Sequence, residues 1–121
     1  MDEEILQGDV FLCDFGECEG SIQGGLRPCL VVSNNKNNYY SNVVIVVPIT
    51  SQNKKSYLPM HYTLYKKDYD FFHRKENTVL TEQIRCVNSD MLKRKLGRIN
   101  ILDLMHIIEK LNINFKEIEL Y

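Results

Sequence analysis

Between Asp9 and Asp14, Val10 and Leu12 alternate with Phe11 and Cys13. That period of two predicts a strand over Asp9–Asp14. Two β-branched runs, Pro28–Ser33 and Val43–Thr50, read as central strands joined by the polar, turn-rich spacer Asn34–Asn38. A fourth strand is predicted over Leu58–Tyr65, where Leu58, Met60, Tyr62 and Leu64 alternate with Pro59, His61, Thr63 and Tyr65. Its proline suits a strand start or an edge. The charged, turn-like stretch from Lys66 to Asn77 leads to a fifth strand over Thr78–Val87, bent in its middle.

The pattern then becomes helical. Ser89 and Asp90 supply N-cap chemistry, cations follow and Gly97 ends the run, which predicts a short helix over Ser89–Leu96. Asn100 caps a second helix with Leu104, Ile107, Ile108 and Leu111 at i, i+3, i+4 and i+7. Short strands first and helices last, with no long helix between strands, exclude a βαβ fold. They predict a mainly β fold with α, a small β-barrel with C-terminal helices.

The 121 residues suffice for one domain spanning 1–121 and one core. With 44% hydrophobic and 26% charged residues and no low-complexity tract, the composition is that of an ordinary globular protein. No apolar run approaches the roughly 20 residues that span a bilayer, and Met-Asp-Glu-Glu is the wrong charge for a signal peptide. A cytoplasmic chain with no membrane contact is expected. Cys13, Cys18, Cys29 and Cys86 form no CxxC pair, so they are expected as small buried hydrophobes, with no metal and no cofactor. Residues 1–60 hold 4 Lys/Arg and 7 Asp/Glu, whereas residues 61–121 hold 11 and 9. The net charge of −1 argues against coating long duplexes by charge alone, and leaves room for a short nucleic-acid segment in a local basic cleft.

Gly20–Pro28, GSIQGGLRP, carries the candidate chemistry. Gly24 and Gly25 allow positive φ and a close approach to a ligand, and Pro28 fixes the start of the next strand. Arg27, the only arginine of the first 60 residues, presents a planar fork suited to phosphate. The same glycines would serve a plain hairpin, and Thr50 would serve as an ordinary strand terminator. None of His61, His73 and His106 sits in the glycine loop, and His106 reads as structural. No GxSxG, P-loop, HExxH or paired-carboxylate motif occurs.

Five blocks in order, Gly8–Phe11, Gly20–Pro28, Leu30–Asn34, Pro48–Thr50 and Glu82–Arg85, resemble the MazF/PemK toxins of bacterial toxin–antitoxin systems, over about residues 7–112. The resemblance implies an SH3-like barrel with C-terminal helices and a homodimer. It implies a metal-independent endoribonuclease that cuts single-stranded RNA at short motifs, and an antitoxin partner whose disordered tail occupies the RNA channel. By block, the family's catalytic arginine and threonine fall on Arg27 and Thr50. Ser21, Gln23 and Gln83 match positions lining the RNA face, His61 matches the family's strand histidine, and Lys54 is a further substrate-side candidate. Ile22 departs from the acidic residue many members carry there, which puts base preference in doubt.

Such a reaction uses the 2′-hydroxyl as nucleophile and yields a 2′,3′-cyclic phosphate and a 5′-hydroxyl. Arg27 is then expected to stabilise the charge on phosphorus and Thr50 to donate to a phosphate oxygen. Backbone amides near Gly24 and Gly25 add a small anion nest. The base lies among Glu19, His61 and a positioned water. Phe15, Tyr57 and Gln83 are candidates to hold bases, and Lys54, Lys55 and Arg85 to supply charge. The alternative on the same fold is a non-enzymatic, CcdB-like gyrase poison.

Overall fold

The computed structural model describes residues 4–52 and 58–116. Seven strands are formed: β1 Asp9–Asp14, β2 Leu26–Val31, β3 Val43–Thr50, β4 His61–Tyr65, β5 Glu76–Leu80, β6 Arg85–Asn88 and β7 Leu92–Arg98. Helix α1 is Asn35–Tyr40 and α2 is Ile101–Ile113. Every ladder is antiparallel, in the order β4-β5-β3-β2-β1-β7, with β6 also paired to β3.

One edge of β3 therefore serves two partners. Val43–Val46 pair with β6, and Ile49 and Thr50 pair with Val79 and Thr78 of β5. The change of partner bends the sheet and separates two cores. Val47, Ile49, Leu64 and Val79 pack under Leu104, Ile107 and Leu111 of α2. Phe11, Cys13, Cys29, Val31, Val44, Val46 and Val87 pack together in the second cluster. β1, β2, β3, β6 and β7 wrap this second core, but among the described residues no ladder joins β7 to β6 or β4. The barrel expected from the sequence is thus approximate, a bent antiparallel sheet without hydrogen-bonded closure.

The expected bend in the fifth strand is a 3₁₀ turn, Thr81–Gln83, that divides it into β5 and β6. Leu58–Met60 form a turn ahead of β4, so that strand begins at His61. The spacer expected as a loop is helix α1, because Asn34 accepts from the Asn37 amide at 2.9 Å and nucleates a helical turn. The helix expected over Ser89–Leu96 is not formed. Its capping residues close one 3₁₀ turn, Ser89–Met91, and Leu92 onward pairs with the outer edge of β1 as β7. Ladder formation outweighs the modest helix preference of Leu, Lys and Arg. One C-terminal helix is formed instead of two. Its predicted cap holds: Asn100 Oδ1 accepts from the Asp103 amide at 2.8 Å.

The β1–β7 pairing is pinned by a buried charge. Asp9 is 1% exposed, accepts from Arg98 Nε at 3.0 Å and from the Leu6 amide at 2.9 Å, and lies 3.1 Å from Lys95 Nζ. At the helix, the Asp103 carboxylate accepts from Tyr62 at 2.5 Å and from Tyr69, fastening α2 to β4 and to the 66–75 turn. Burial, reinforced by Asp103, pushes Tyr69 up to about 12 and Tyr62 upward as well, so both donate as neutral phenols. Cys13 and Cys29 are buried as expected, whereas Cys86 is exposed, because it lies on β6 opposite Ile45 on the open side of β3. No helix among the described residues is long and apolar enough to cross a membrane.

Removing the Asp9 carboxylate leaves two cations facing an unpaired cavity at the sheet edge. Asp9→Ala is expected to lower unfolding stability by about 2 kcal/mol, and Arg98→Ala, half exposed, by less than about 1 kcal/mol. Urea unfolding of both variants checks this ranking.

Candidate functional site

The β1–β2 connection is held from within and from outside. Phe15 N donates to Gly25 O at 3.0 Å and Gly25 N to Gly16 O at 2.7 Å, prolonging the ladder into the loop. Gly25 has a φ of +75°, a conformation that favours glycine. At Gly24 a Cβ would stand 2.8 Å from Gly16 O and 3.0 Å from Cys18 N. Gly24 is thus closely approached by its own loop.

From outside, the Gln83 amide clamps the loop with both ends. Its Oε1 accepts from Gln23 N at 2.8 Å and its Nε2 donates to Ser21 O at 2.8 Å. Arg85 adds a third tie: Nη2 donates to Gln23 O at 2.6 Å, Nη1 meets Cys18 Sγ at 3.7 Å, and the guanidinium lies 4.2 Å above the Phe15 ring. Phe15 is consequently buried beneath Arg85 and cannot stack on a base as expected from the sequence. Between these ties, Glu19, Gly20, Ser21 and Ile22 remain exposed.

Arg27 follows the loop on β2, half-buried, with Nε donating to Gly24 O at 2.7 Å. That bond fixes the plane of the guanidinium and leaves its two Nη groups with no bond among the described residues. β2 and β3 pair as Cys29–Pro48, Leu30–Val47 and Val31–Val46. Arg27 and Thr50 each lie two residues beyond the Cys29–Pro48 pair, and the side-chain period of two keeps both on the face of that pair. The ladders carry the row on: Thr50 faces Thr78 and Thr78 faces Thr63. The opposite face at this position carries Ile49, Val79, Leu64 and Tyr62 toward α2.

Thr50 is 2% exposed, and its hydroxyl accepts from the Gln52 amide at 3.2 Å, which leaves the hydroxyl proton to donate. His61 lies on the same face of β4, buried, with Nε2 2.9 Å from Glu82 Oε2. Lys54, with Lys55 and Tyr57, lies outside the described residues. A cavity of about 760 Å³ lined by Leu12, Pro28, Ile49 and Phe71 opens on the reverse face, away from Arg27 and Thr50. Among the described residues no three His, Cys, Asp or Glu side chains gather as metal ligands.

Residues 6–115 match the family of PemK-like, MazF-like toxins of type II toxin–antitoxin systems. The chain belongs to this family. As a MazF-like chain it shares its fold with MazF from Deinococcus radiodurans, at a TM-score of 0.79 and 23% identity over 96% of this chain and 100% of that one. An endoribonuclease from a Mycobacterial species gives 0.74 and 22% over 94% and 93% of the two chains. A Mycobacterial endoribonuclease in complex with its cognate antitoxin gives 0.75 and 24% over 93% and 95%.

Within the MazF-like fold, the sequence-derived residues divide into two groups. Arg27, Thr50 and His61 share a sheet face, whereas Ser21, Gln23, Gly24, Gly25 and Gln83 form one tied loop. Thr63 and Thr78 join the first group and were missed, since their signal is a strand register that no local pattern carries. Arg85, expected only as loose charge, is a loop anchor.

The clamp predicts a local effect. In Gln83→Ala the Gln23 amide loses its acceptor, and its hydrogen exchange is expected to accelerate about fivefold while α2 amides keep their protection. Unchanged exchange at Gln23 would show that the loop is held without Gln83.

Proposed function

We propose that this MazF-like chain is a metal-independent endoribonuclease that cuts single-stranded RNA, and that a protein antitoxin restrains it as the toxin arm of a type II system. The feature that carries the reading is the sheet face shared by Arg27, two residues before the Cys29–Pro48 pair, and Thr50, two residues after it, beside a tied, glycine-containing loop. Family membership supports it, as do structural neighbours described as an endoribonuclease and as an endoribonuclease bound to its cognate antitoxin. A homodimer, carried over from the family resemblance, belongs to the same reading.

In this mechanism the 2′-hydroxyl of the nucleotide 5′ to the scissile bond attacks phosphorus. The O–P bond to the next nucleotide breaks, giving a 2′,3′-cyclic phosphate and a 5′-hydroxyl. Charge accumulates on the non-bridging oxygens as five ligands crowd the phosphorus, and donors fixed beforehand stabilise it most. Arg27 meets that requirement because Gly24 O orients the guanidinium and the two Nη groups stay available. A guanidinium holds its proton too firmly to act as a base, so Arg27 stabilises the charge and donates the proton that the departing 5′-oxygen takes up, and solvent reprotonates it. The Thr50 hydroxyl, with its oxygen already accepting from Gln52, donates to a non-bridging oxygen.

Proton removal from the 2′-hydroxyl falls to a group outside this pair. Glu19 stands on the exposed part of the loop. The His61 Nε2 is engaged with Glu82. Glu19 or a water held near it therefore suits the role better than His61. Base recognition falls to the exposed rim around Ser21 and Ile22, with Gln83 setting the rim's position by holding its backbone.

Sequencing of RNA ends after incubation with chelator tests the reading directly. Arg27→Ala is expected to lower kcat/KM by about 10³-fold and Thr50→Val by at least about tenfold, with Thr50→Ser retaining most activity. Full cleavage by Arg27→Ala would remove the central assignment. Intact RNA together with a trapped topoisomerase–DNA complex would favour the gyrase-poison alternative.

A further inference from the structure

The chain has four threonines, and their hydroxyls differ in what they bond. Thr81 Oγ1 donates to Met60 O, and Thr50 Oγ1 accepts from Gln52 N. Neither Thr78 nor Thr63 has a side-chain hydrogen bond among the described residues. Thr78 is only 4% exposed, a position in the middle of a strand where valine, of nearly the same shape, would normally stand. No buried side-chain nitrogen or oxygen among the described residues lacks a partner. The Thr78 hydroxyl is therefore not fully enclosed. Its side chain lies on the face of Thr50, its directly opposed neighbour.

We propose that Thr78 is a second hydroxyl donor to the reacting phosphate, an inference that rests on the endoribonuclease reading above. Opposed side chains on antiparallel strands stand about 4.5–5.5 Å apart at Cβ. Two hydroxyls at that separation reach two different oxygens of one phosphate, or one phosphate oxygen and the neighbouring 2′-oxygen. Arg27 covers the phosphate from the β2 side and Thr78 from the β5 side, with Thr50 between them. No bond forms at Thr78 and no proton leaves it: its hydroxyl donates a hydrogen bond that shortens as charge builds on the oxygen. At a position only 4% exposed few waters compete for such a hydroxyl, so a hydrogen bond to a phosphate oxygen there is stronger than at an open surface. Thr63, half-buried and opposed to Thr78, continues the row away from the reacting centre.

The test compares Thr78→Val and Thr78→Ser in the full chain, on an RNA whose cut site has been mapped with the unaltered protein under chelator. Thr78→Val is expected to lower kcat about tenfold with KM nearly unchanged, and Thr78→Ser to stay within about threefold of the parent. The melting temperature of Thr78→Val is expected to hold, because valine keeps the shape and breaks no hydrogen bond among the described residues, whereas a merely structural role predicts a loss of stability with kcat kept. Sulfur in place of each non-bridging oxygen at the cut site should slow the parent for one isomer and lose that discrimination in Thr78→Val. Full kcat in Thr78→Val overturns the proposal, and so does equal impairment of the serine and valine variants. If the parent leaves RNA intact, the endoribonuclease reading itself fails; if the parent cleaves and Thr78→Val cleaves equally well, only the role of Thr78 fails.

Discussion

The split edge of β3 is the constraint from which the candidate site follows. A strand edge offers one row of hydrogen-bonding groups, and β3 gives the first half of that row to β6 and the end of it to β5. The chain between β5 and β6 must therefore turn at the point of change, and Thr81–Gln83 makes that turn. This places Gln83 and Arg85 against the β1–β2 loop and Thr78 against Thr50 in one step. A continuous β5–β6 strand running along β3 would leave the loop untied.

Once the connection is placed, the loop's rigidity comes from polar contacts. Four side-chain bonds reach loop groups 60 or more residues away in sequence, two from Gln83 and two from Arg85. An amide side chain is suited to this task because it donates and accepts at once, matching a backbone segment that presents an N–H and a C=O. Arg85 joins the loop to the second core, stacking on Phe15 while it bonds Gln23 O. The exposed rim is thus held at its base and open at its tip, an arrangement that combines a fixed backbone with accessible side chains.

Strands with clean alternation or β-branched runs were legible, because their side chains report burial locally: β1 and β3 span the expected residues, β2 begins two residues earlier at Leu26 and ends at Val31, and α2 follows its Asn100 cap. β7 was misread because Leu92–Arg98 has good helix formers and a capping sequence before it. What makes it a strand is Asp9, more than 80 residues earlier, drawing Lys95 and Arg98 to the edge of β1. α1 was missed for the converse reason: asparagines signal turns, and only the Asn34 cap turns that signal into a helix. Arg27 and Thr50 were singled out as residue types in context, but the face they share is a property of register. Thr78 carries no local signal at all, since a threonine in a β-branched strand looks the same with its hydroxyl bonded or free.

The two faces of the β3–β5–β4 region show how one sheet supports both stability and chemistry. Ile49, Val79 and Leu64 turn to α2 and bury apolar area, which stabilises the sheet without requiring anything of the other face. The next residue along each strand, Thr50, Thr78 or Thr63, points the opposite way. Because the side-chain period is two, packing that fixes the apolar residues fixes the hydroxyls as well. A one-residue slip of β5 would bring Val79 opposite Thr50 and withdraw Thr78 from the row, but it would also turn Val79 away from α2. The apolar core thereby enforces the polar register, and hydroxyls carried on strands held in this way keep their positions without contacts of their own.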